Sequence, residues 1–152
     1  MTHLILAMAF MFGMPPQTVL DQVVLRFGGE IVTKLDVRQA RLLKLVDAAN
    51  ETEDAYVTAI ANRRLMLADL KRSSTDEPAA DAVDASVREW TARVGGGDAA
   101  GLLSRAGMTE GGLRAWLKDD LHLRKYIAER FAGRPADAAA WVETLRQRAG
   151  LR

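Results

Sequence analysis

The sequence predicts a mostly α-helical protein in which a short amino-terminal β-hairpin precedes several helices. Apolar residues recur at i, i+3 and i+4 through most of the chain after residue 33, which is the period of a helix with one buried face. A Gly-Gly pair between two β-branched runs predicts the hairpin. The length of 152 residues and the hydrophobic fraction of 49% predict one globular domain with its own core.

Composition excludes several classes of function. A net charge of +1 argues against a general nucleic-acid binder, which normally carries a strong basic excess. The chain has no cysteine, which excludes disulfides and thiolate metal sites, and its two histidines are too few for a histidine-based metal site. We therefore expect neither a metal nor another cofactor.

Residues 1–17 form a leader with an apolar run from Leu4 to Met14. This run has the length of a signal-peptide core and is too short to span a bilayer, so we expect no stable membrane span. The region before it carries no Lys or Arg. Two interpretations stay open: an export signal with a periplasmic or exported location, or an apolar segment that packs on residues 18–152.

The first predicted elements are the hairpin and two helices. Val, Leu, Phe and Ile residues flank Gly28-Gly29 in residues 19–33. A helix over 34–48 follows, with Thr33 or Asp36 as its N-cap and with Val37, Ala40, Leu42 or Leu43, and Val46 on its inner face. The next helix, 53–72, is apolar over nearly its whole circumference after a polar start, which predicts burial at the centre of the bundle.

Four more helices are predicted. One covers 79–94, with Val83, Val87, Trp90 and Val94 on one face. A short helix capped by Asp98 ends at Gly107. The longest runs from Met108 to Phe131, with Thr109 as N-cap and a hydrophobic staple between Met108 and Leu113. The last covers 137–149, with Asp137 as its N-cap.

This order resembles the amino-terminal chaperone domain of SurA-like periplasmic folding factors, followed by that family's carboxy-terminal helix. The resemblance lies in IANRRLMLADLKR, in AGMTEGGLRAWLKDDLHLRKYIAERF, in DAAAWVETLRQRAGLR and in the hairpin residues Asp21, Val23, Gly28, Ile31, Val32, Thr33, Asp36 and Val37. It implies a single helical chaperone module over 18–152, onto which the last helix docks.

The chain departs from the family at one important place. Members usually carry parvulin-type prolyl isomerase domains between the long helix and the last helix, and here only GRPA separates Phe131 from Asp137. We therefore expect no isomerase activity and no other enzymatic activity. The short return also predicts that Trp116 and Trp141 meet in one core. The resemblance further implies a two-stranded ribbon or a shortened third strand at the hairpin.

The candidate client-binding residues are apolar or aromatic. The tryptophans lie on predicted apolar stripes, so they either pack in the core or line a partly open groove. The predicted groove residues are Met66, Leu67, Leu70, Trp90, Trp116 and Tyr126. Methionine suits such a groove because its flexible side chain adapts to many partners. The basic pairs Arg63-Arg64 and Arg124-Lys125 predict solvated helix faces.

Two functions follow as hypotheses. The first is an exported chaperone that binds unfolded or outer-membrane-type polypeptides through an apolar groove. The second is a helical scaffold whose apolar stripes are all internal and which binds one fixed partner or a second copy of itself.

Overall fold

The computed structural model describes residues 21–73 and 76–151; the predicted leader and the start of the predicted hairpin lie outside them. Within these ranges the elements are β1 (Val23–Phe27), β2 (Glu30–Thr33), α1 (Lys34–Leu42), α2 (Glu53–Ser73), α3 (Ala80–Trp90), a π-helical turn (Thr91–Gly95), α4 (Ala99–Ala106), α5 (Glu110–Arg130) and α6 (Pro135–Arg148). The predicted class, mostly helical with a short hairpin, is confirmed.

The hairpin forms at the Gly-Gly pair. β1 and β2 are antiparallel, with Phe27 opposite Glu30, and they form a two-stranded sheet within the described residues. Gly28 and Gly29 both have positive φ, 48° and 85°, which side chains with a Cβ rarely adopt. Two strands alone are marginal in water, and Phe27 and Val32 gain burial by packing against α1 and α2.

A capping box starts α1, and a left-handed residue follows its end. The Thr33 hydroxyl accepts a hydrogen bond from the Asp36 amide, and the Asp36 carboxylate accepts one from the Thr33 amide. The predicted extension to residue 48 is wrong, because the helix ends at Leu42 and Lys44 has a φ of 48°. Leu43 and Leu45 are both buried in one cluster, and residues two apart on a continuous helix would face away from each other.

The predicted centre of the bundle is confirmed. α2 packs against β2, α1, α5 and α6. Its buried stripe includes Ile60, Arg63, Leu67 and Leu70, spaced three, four and three residues apart. Arg63 therefore lies on the buried face, and its predicted place on a solvated face is wrong. Its neighbour Arg64 is partly exposed and pairs with Asp36 at 2.8 Å.

The caps predicted for α4 and α5 are confirmed. The Asp98 carboxylate accepts a hydrogen bond from the Gly101 amide, and α4 ends at Gly107, which has a φ of 67°. The Thr109 hydroxyl accepts one from the Gly112 amide. The helix predicted over 79–94 is regular only as far as Trp90, and its last turn widens into the π-helical turn.

The last helix begins earlier than predicted. α6 starts at Pro135, with Arg134 at the N-cap position, so Asp137 is not the cap. Proline suits the first turn because its missing N–H has no partner there in any helix. Asp137 lies in that turn and pairs with Arg134 at 3.0 Å. α6 packs along α2 and ends against the hairpin: a Cβ added at Gly28 would be 3.5 Å from that of Ala149.

Among the residues that the structure describes, buried side chains form three clusters. The hairpin cluster contains Phe27, Val32, Val37, Ala40, Tyr56, Ile60 and Ala61. The α3–α5 cluster contains Leu43, Leu45, Trp90, Leu103, Ala106, Leu113 and Leu117. The α2–α6 cluster contains Leu67, Leu70 and Leu123. Trp116 packs on the α3–α5 cluster and Trp141 on the α2–α6 cluster, so the prediction that these two rings share one core is wrong.

No helix in the described ranges combines the length and the hydropathy needed to cross a membrane.

The burial of α2 predicts a large cost for truncating Leu70, which is fully buried. We expect Leu70→Ala to lower the free energy of unfolding by about 2–5 kcal/mol, from lost burial and the cavity left behind. Urea denaturation followed by circular dichroism measures this. Leu42→Ala is the control, since Leu42 is 39% exposed and should cost less than about 1 kcal/mol. Similar losses in both variants would contradict the assignment of α2 as the centre.

Candidate functional site

The structure divides the six predicted client-binding residues between two clusters. Leu67 and Leu70 belong to the α2–α6 cluster, and Met66 and Tyr126 pack on it. Trp90 belongs to the α3–α5 cluster, and Trp116 packs on that one. The six therefore do not line one continuous groove.

The six predicted client-binding residues also differ in how deeply they are buried. Trp90 is only 2% exposed, and its indole N–H donates a hydrogen bond to the Leu43 carbonyl at 2.9 Å. Leu70 is fully buried, and Leu67 is nearly so. These three side chains hold helices together in the described conformation. Met66, Trp116 and Tyr126 are half-buried and keep some surface for a partner.

A groove of about 590 Å³ lies between the α1–α2 connection, α2, the end of α3 and α5. Its apolar wall contains Leu45, Val46, Met66 and Leu123. Met66 is thus the one predicted client-binding residue that lines this groove. Charged side chains also line it: Lys44, Asp47, Arg63, Glu89, Arg93, Asp120 and Arg124.

Arg63 is the groove residue that the sequence analysis missed as a site. Its side chain is 9% exposed, and the guanidinium carbon lies 3.7 Å from the centre of the Trp116 ring. One amino group donates a hydrogen bond to the Trp116 carbonyl at 3.0 Å. The spacing from Ile60 to Leu67 would have placed Arg63 on the buried stripe.

The electrostatic setting of Arg63 is dominated by burial. Loss of hydration lowers the pKa of the guanidinium; Asp120 and Asp119 oppose this, and Arg64 adds to it. The nearest carboxylate contact is long, since the Arg63 Nε lies 4.0 Å from Asp120 Oδ1. The other Asp120 oxygen pairs with Arg124 Nε at 3.3 Å.

Two adjacent donors at this place have no hydrogen-bond acceptor. They are the Nε of Arg63 and the indole Nε1 of Trp116, both inaccessible to solvent. Buried polar groups are normally hydrogen-bonded, and an unpaired one costs about 1–3 kcal/mol. The stacked side chains of Arg63 and Trp116 therefore bring unpaired polar groups into the protein interior, and Arg63 also lines the groove beside its apolar wall.

A smaller cavity of about 420 Å³ lies between α3, α4 and α5. Val87, Leu103 and Leu113 give it an apolar lining. Trp90 also lines this cavity, although the residue is almost fully buried. Its charged lining residues, Glu110 and Arg114, are exposed, whereas Arg63 is buried.

Tyr126 belongs to an aromatic cluster with Phe131 and Trp141. The Trp141 ring centre is 5.7 Å from that of Tyr126 and 5.4 Å from that of Phe131. The Arg130 guanidinium lies 5.3–5.6 Å from all three ring centres. The Trp141 indole donates a hydrogen bond to Asp69 at 3.0 Å. These contacts join α5, α6 and α2, so the aromatic cluster holds these three helices together.

Among the described residues, no group of three His, Asp or Glu side chains is placed to hold a metal ion. Comparisons with protein-family models, with curated proteins and with solved structures found no match.

Two ion pairs join the segment before α3 to α5, where Asp76 pairs with Lys125 and Glu77 with Lys118. The hydrogen bonds and charges of these lysines lower the pKa of both carboxyls below their ordinary values of 3.8 and 4.5. A carboxyl with a lowered folded-state pKa stabilises the fold above its unfolded-state pKa. That contribution is lost as the pH falls through the folded-state value.

We therefore expect the stability of the protein to fall below about pH 4.5, partly through these two pairs. The Asp76→Asn/Glu77→Gln variant should show a smaller drop in Tm between about pH 6 and pH 3 than the parent chain. Scanning calorimetry measures both slopes. About 1 M NaCl should shrink the difference, because the pairs are exposed and salt screens them. Equal slopes for the two proteins at low salt would contradict the prediction.

Proposed function

We propose that this chain is a SurA-like chaperone module that binds unfolded polypeptides and works without a prolyl isomerase domain. The observation that carries the proposal is the groove of about 590 Å³ between α2, α3 and α5. It combines an apolar wall with a charged rim, which is a surface suited to weak binding of many apolar segments. An exported location is part of the proposal and rests on the apolar run in residues 4–14.

The apolar wall supplies the binding energy in this proposal. Met66 is half-buried and Leu123 is buried in this wall, so an apolar side chain placed against them removes apolar surface from water. Such burial yields roughly 25 cal/mol per Å², from which the ordering of the bound segment is subtracted. The flexible Met66 side chain adapts to clients of different shape. Binding is then weak and reversible, as a folding factor requires.

The order and docking of the elements also support the proposal. A hairpin leads directly into the capped α1, and α2 lies at the centre. The last helix returns to the hairpin, where Ala149 and Leu151 pack on the hairpin cluster. This is the arrangement that the family resemblance implies for a module whose carboxy-terminal helix docks on its amino-terminal part.

The proposal predicts that the full chain, at equimolar amounts, suppresses aggregation of an outer-membrane β-barrel protein diluted from urea. Met66→Glu places a charge on the apolar wall and should weaken client binding about 10-fold, since burying an apolar side chain is worth about 1.5–3 kcal/mol. Light scattering measures aggregation, and fluorescence anisotropy of a labelled client measures binding.

Ile31→Glu is the matched control for that experiment. Ile31 is 39% exposed on the hairpin and does not line the groove, so this variant should keep the activity. Circular dichroism checks that both variants fold. A parent chain that neither suppresses aggregation nor binds the client rules out the chaperone proposal.

A second candidate function is a helical scaffold that binds one fixed partner or itself. The burial of Leu70 and Trp90 favours it, because much of the apolar stripe is used internally. The large apolar residues that remain exposed in the described ranges are Ile31, Leu35 and Leu42. Leu35 and Leu42 are seven residues apart and so share one face of α1.

This second candidate predicts a defined dimer in multi-angle light scattering across a range of concentrations. The Leu35→Glu/Leu42→Glu variant should then be a monomer, because two charges would be buried at the contact. Leu35→Ala/Leu42→Ala is the milder control and should weaken the dimer without abolishing it. A parent chain that is monomeric at all concentrations removes the self-association form of this candidate.

A further inference from the structure

Arg63 is buried without the partner that a buried arginine normally has. A guanidinium carries five N–H bonds, and the described residues accept one of them, at the Trp116 carbonyl. The carboxylate of Asp120 lies 4.0 Å away and is also engaged by Arg124. By contrast, the more exposed Arg64 reaches Asp36 at 2.8 Å. The buried arginine is thus the less well satisfied of two neighbours.

Arg63 lines the groove with a positive charge and with N–H groups that only donate hydrogen bonds. These properties favour a ligand group that only accepts hydrogen bonds and carries negative charge, which describes a carboxylate. Four basic and three acidic side chains line the groove, so one negative charge on a ligand balances them.

We propose that this groove binds the carboxyl-terminal end of an apolar polypeptide, with Arg63 holding the terminal carboxylate. The last apolar side chains of the polypeptide lie against Met66 and Leu123, which form the apolar wall beside Arg63. This inference rests on the proposed polypeptide-binding function and names the part of the client that the groove selects.

The position of Arg63 suits this role. Stacking on Trp116 and the bond to its carbonyl fix the guanidinium plane before a ligand arrives, so little side-chain entropy is lost on binding. At the rim, Lys44, Arg93 and Arg124 attract an anion toward the groove. Asp120 also lines the groove, where it pairs with Arg124 at 3.3 Å.

Isothermal titration calorimetry with two peptides tests the inference on the full chain. Both are hexapeptides of glycine and serine that end in two leucines, one with a free terminal carboxylate and one amidated. The free acid should bind about 10-fold more tightly or better, because a charge-assisted pair in a half-closed groove is strong. Equal affinities of the two peptides would overturn the inference. The aggregation assay described above would still test the proposed function separately.

Variants of α2 locate the carboxylate. Arg63→Met keeps the apolar volume and should abolish the preference for the free acid while the amidated peptide still binds. Arg72→Met is the matched control, since Arg72 lies on the same helix with a 72% exposed side chain, and it should keep the preference. A preference that survives in Arg63→Met overturns the inference.

A third variant keeps the test decisive if Arg63→Met does not fold. Arg63→Lys retains the charge but lacks the planar fork, so it should fold and lose most of the preference. Circular dichroism and thermal melts establish folding for each variant. If Arg63→Lys prefers the free acid as strongly as the parent chain does, the guanidinium has no special role and the inference is overturned. The inference is also overturned if neither peptide binds to the parent chain.

Discussion

The burial of α2 is the constraint on which the rest of the structure depends. β2, α1, α5 and α6 all pack against this helix, and the core clusters at its two ends are built on its buried stripe. A helix surrounded in this way buries a stripe along its whole length and leaves only part of its surface to solvent. The charged residue on that stripe, Arg63, must therefore be accommodated inside, and Trp116 provides a ring for it to stack on. Arg63 also lines the groove, so the same side chain belongs to the buried stripe and to the candidate site.

Local signals were sufficient to predict most elements. Gly28-Gly29 and the caps at Asp98 and Thr109 each act within a few residues, and each was predicted correctly. For α1 the sequence left Thr33 and Asp36 open as the N-cap, and the structure has Thr33 there. The wrong predictions concern places where contacts between residues far apart in the sequence determine the local structure. α1 stops at Leu42 because Leu43 and Leu45 both reach the α3–α5 cluster, which no pattern within residues 34–48 reveals.

The candidate site was only partly predictable for the same reason. Met66 was recognised by residue type and does line the groove. Trp90 was read as a possible surface ring, but its indole is satisfied by the Leu43 carbonyl, a contact set by the turn after α1. Arg63 was assigned to a solvated face because acidic residues balance the basic pairs throughout the chain, although its spacing from Ile60 and Leu67 places it on the buried stripe. The charge balance predicted that Arg63 is exposed, which is wrong, whereas the helical period predicts that it is buried, which is correct.

The contact between Gly28 and Ala149 has a consequence for the order in which the chain acquires its structure. The hairpin is synthesised long before α6, yet the residue that follows α6 packs on the hairpin. Contacts between such distant positions carry a high loop-closure cost and form late. One side of α2, with Leu67 and Leu70, therefore stays uncovered in the nascent chain until α6 has been synthesised. Until then the nascent chain exposes an apolar surface that is prone to aggregation.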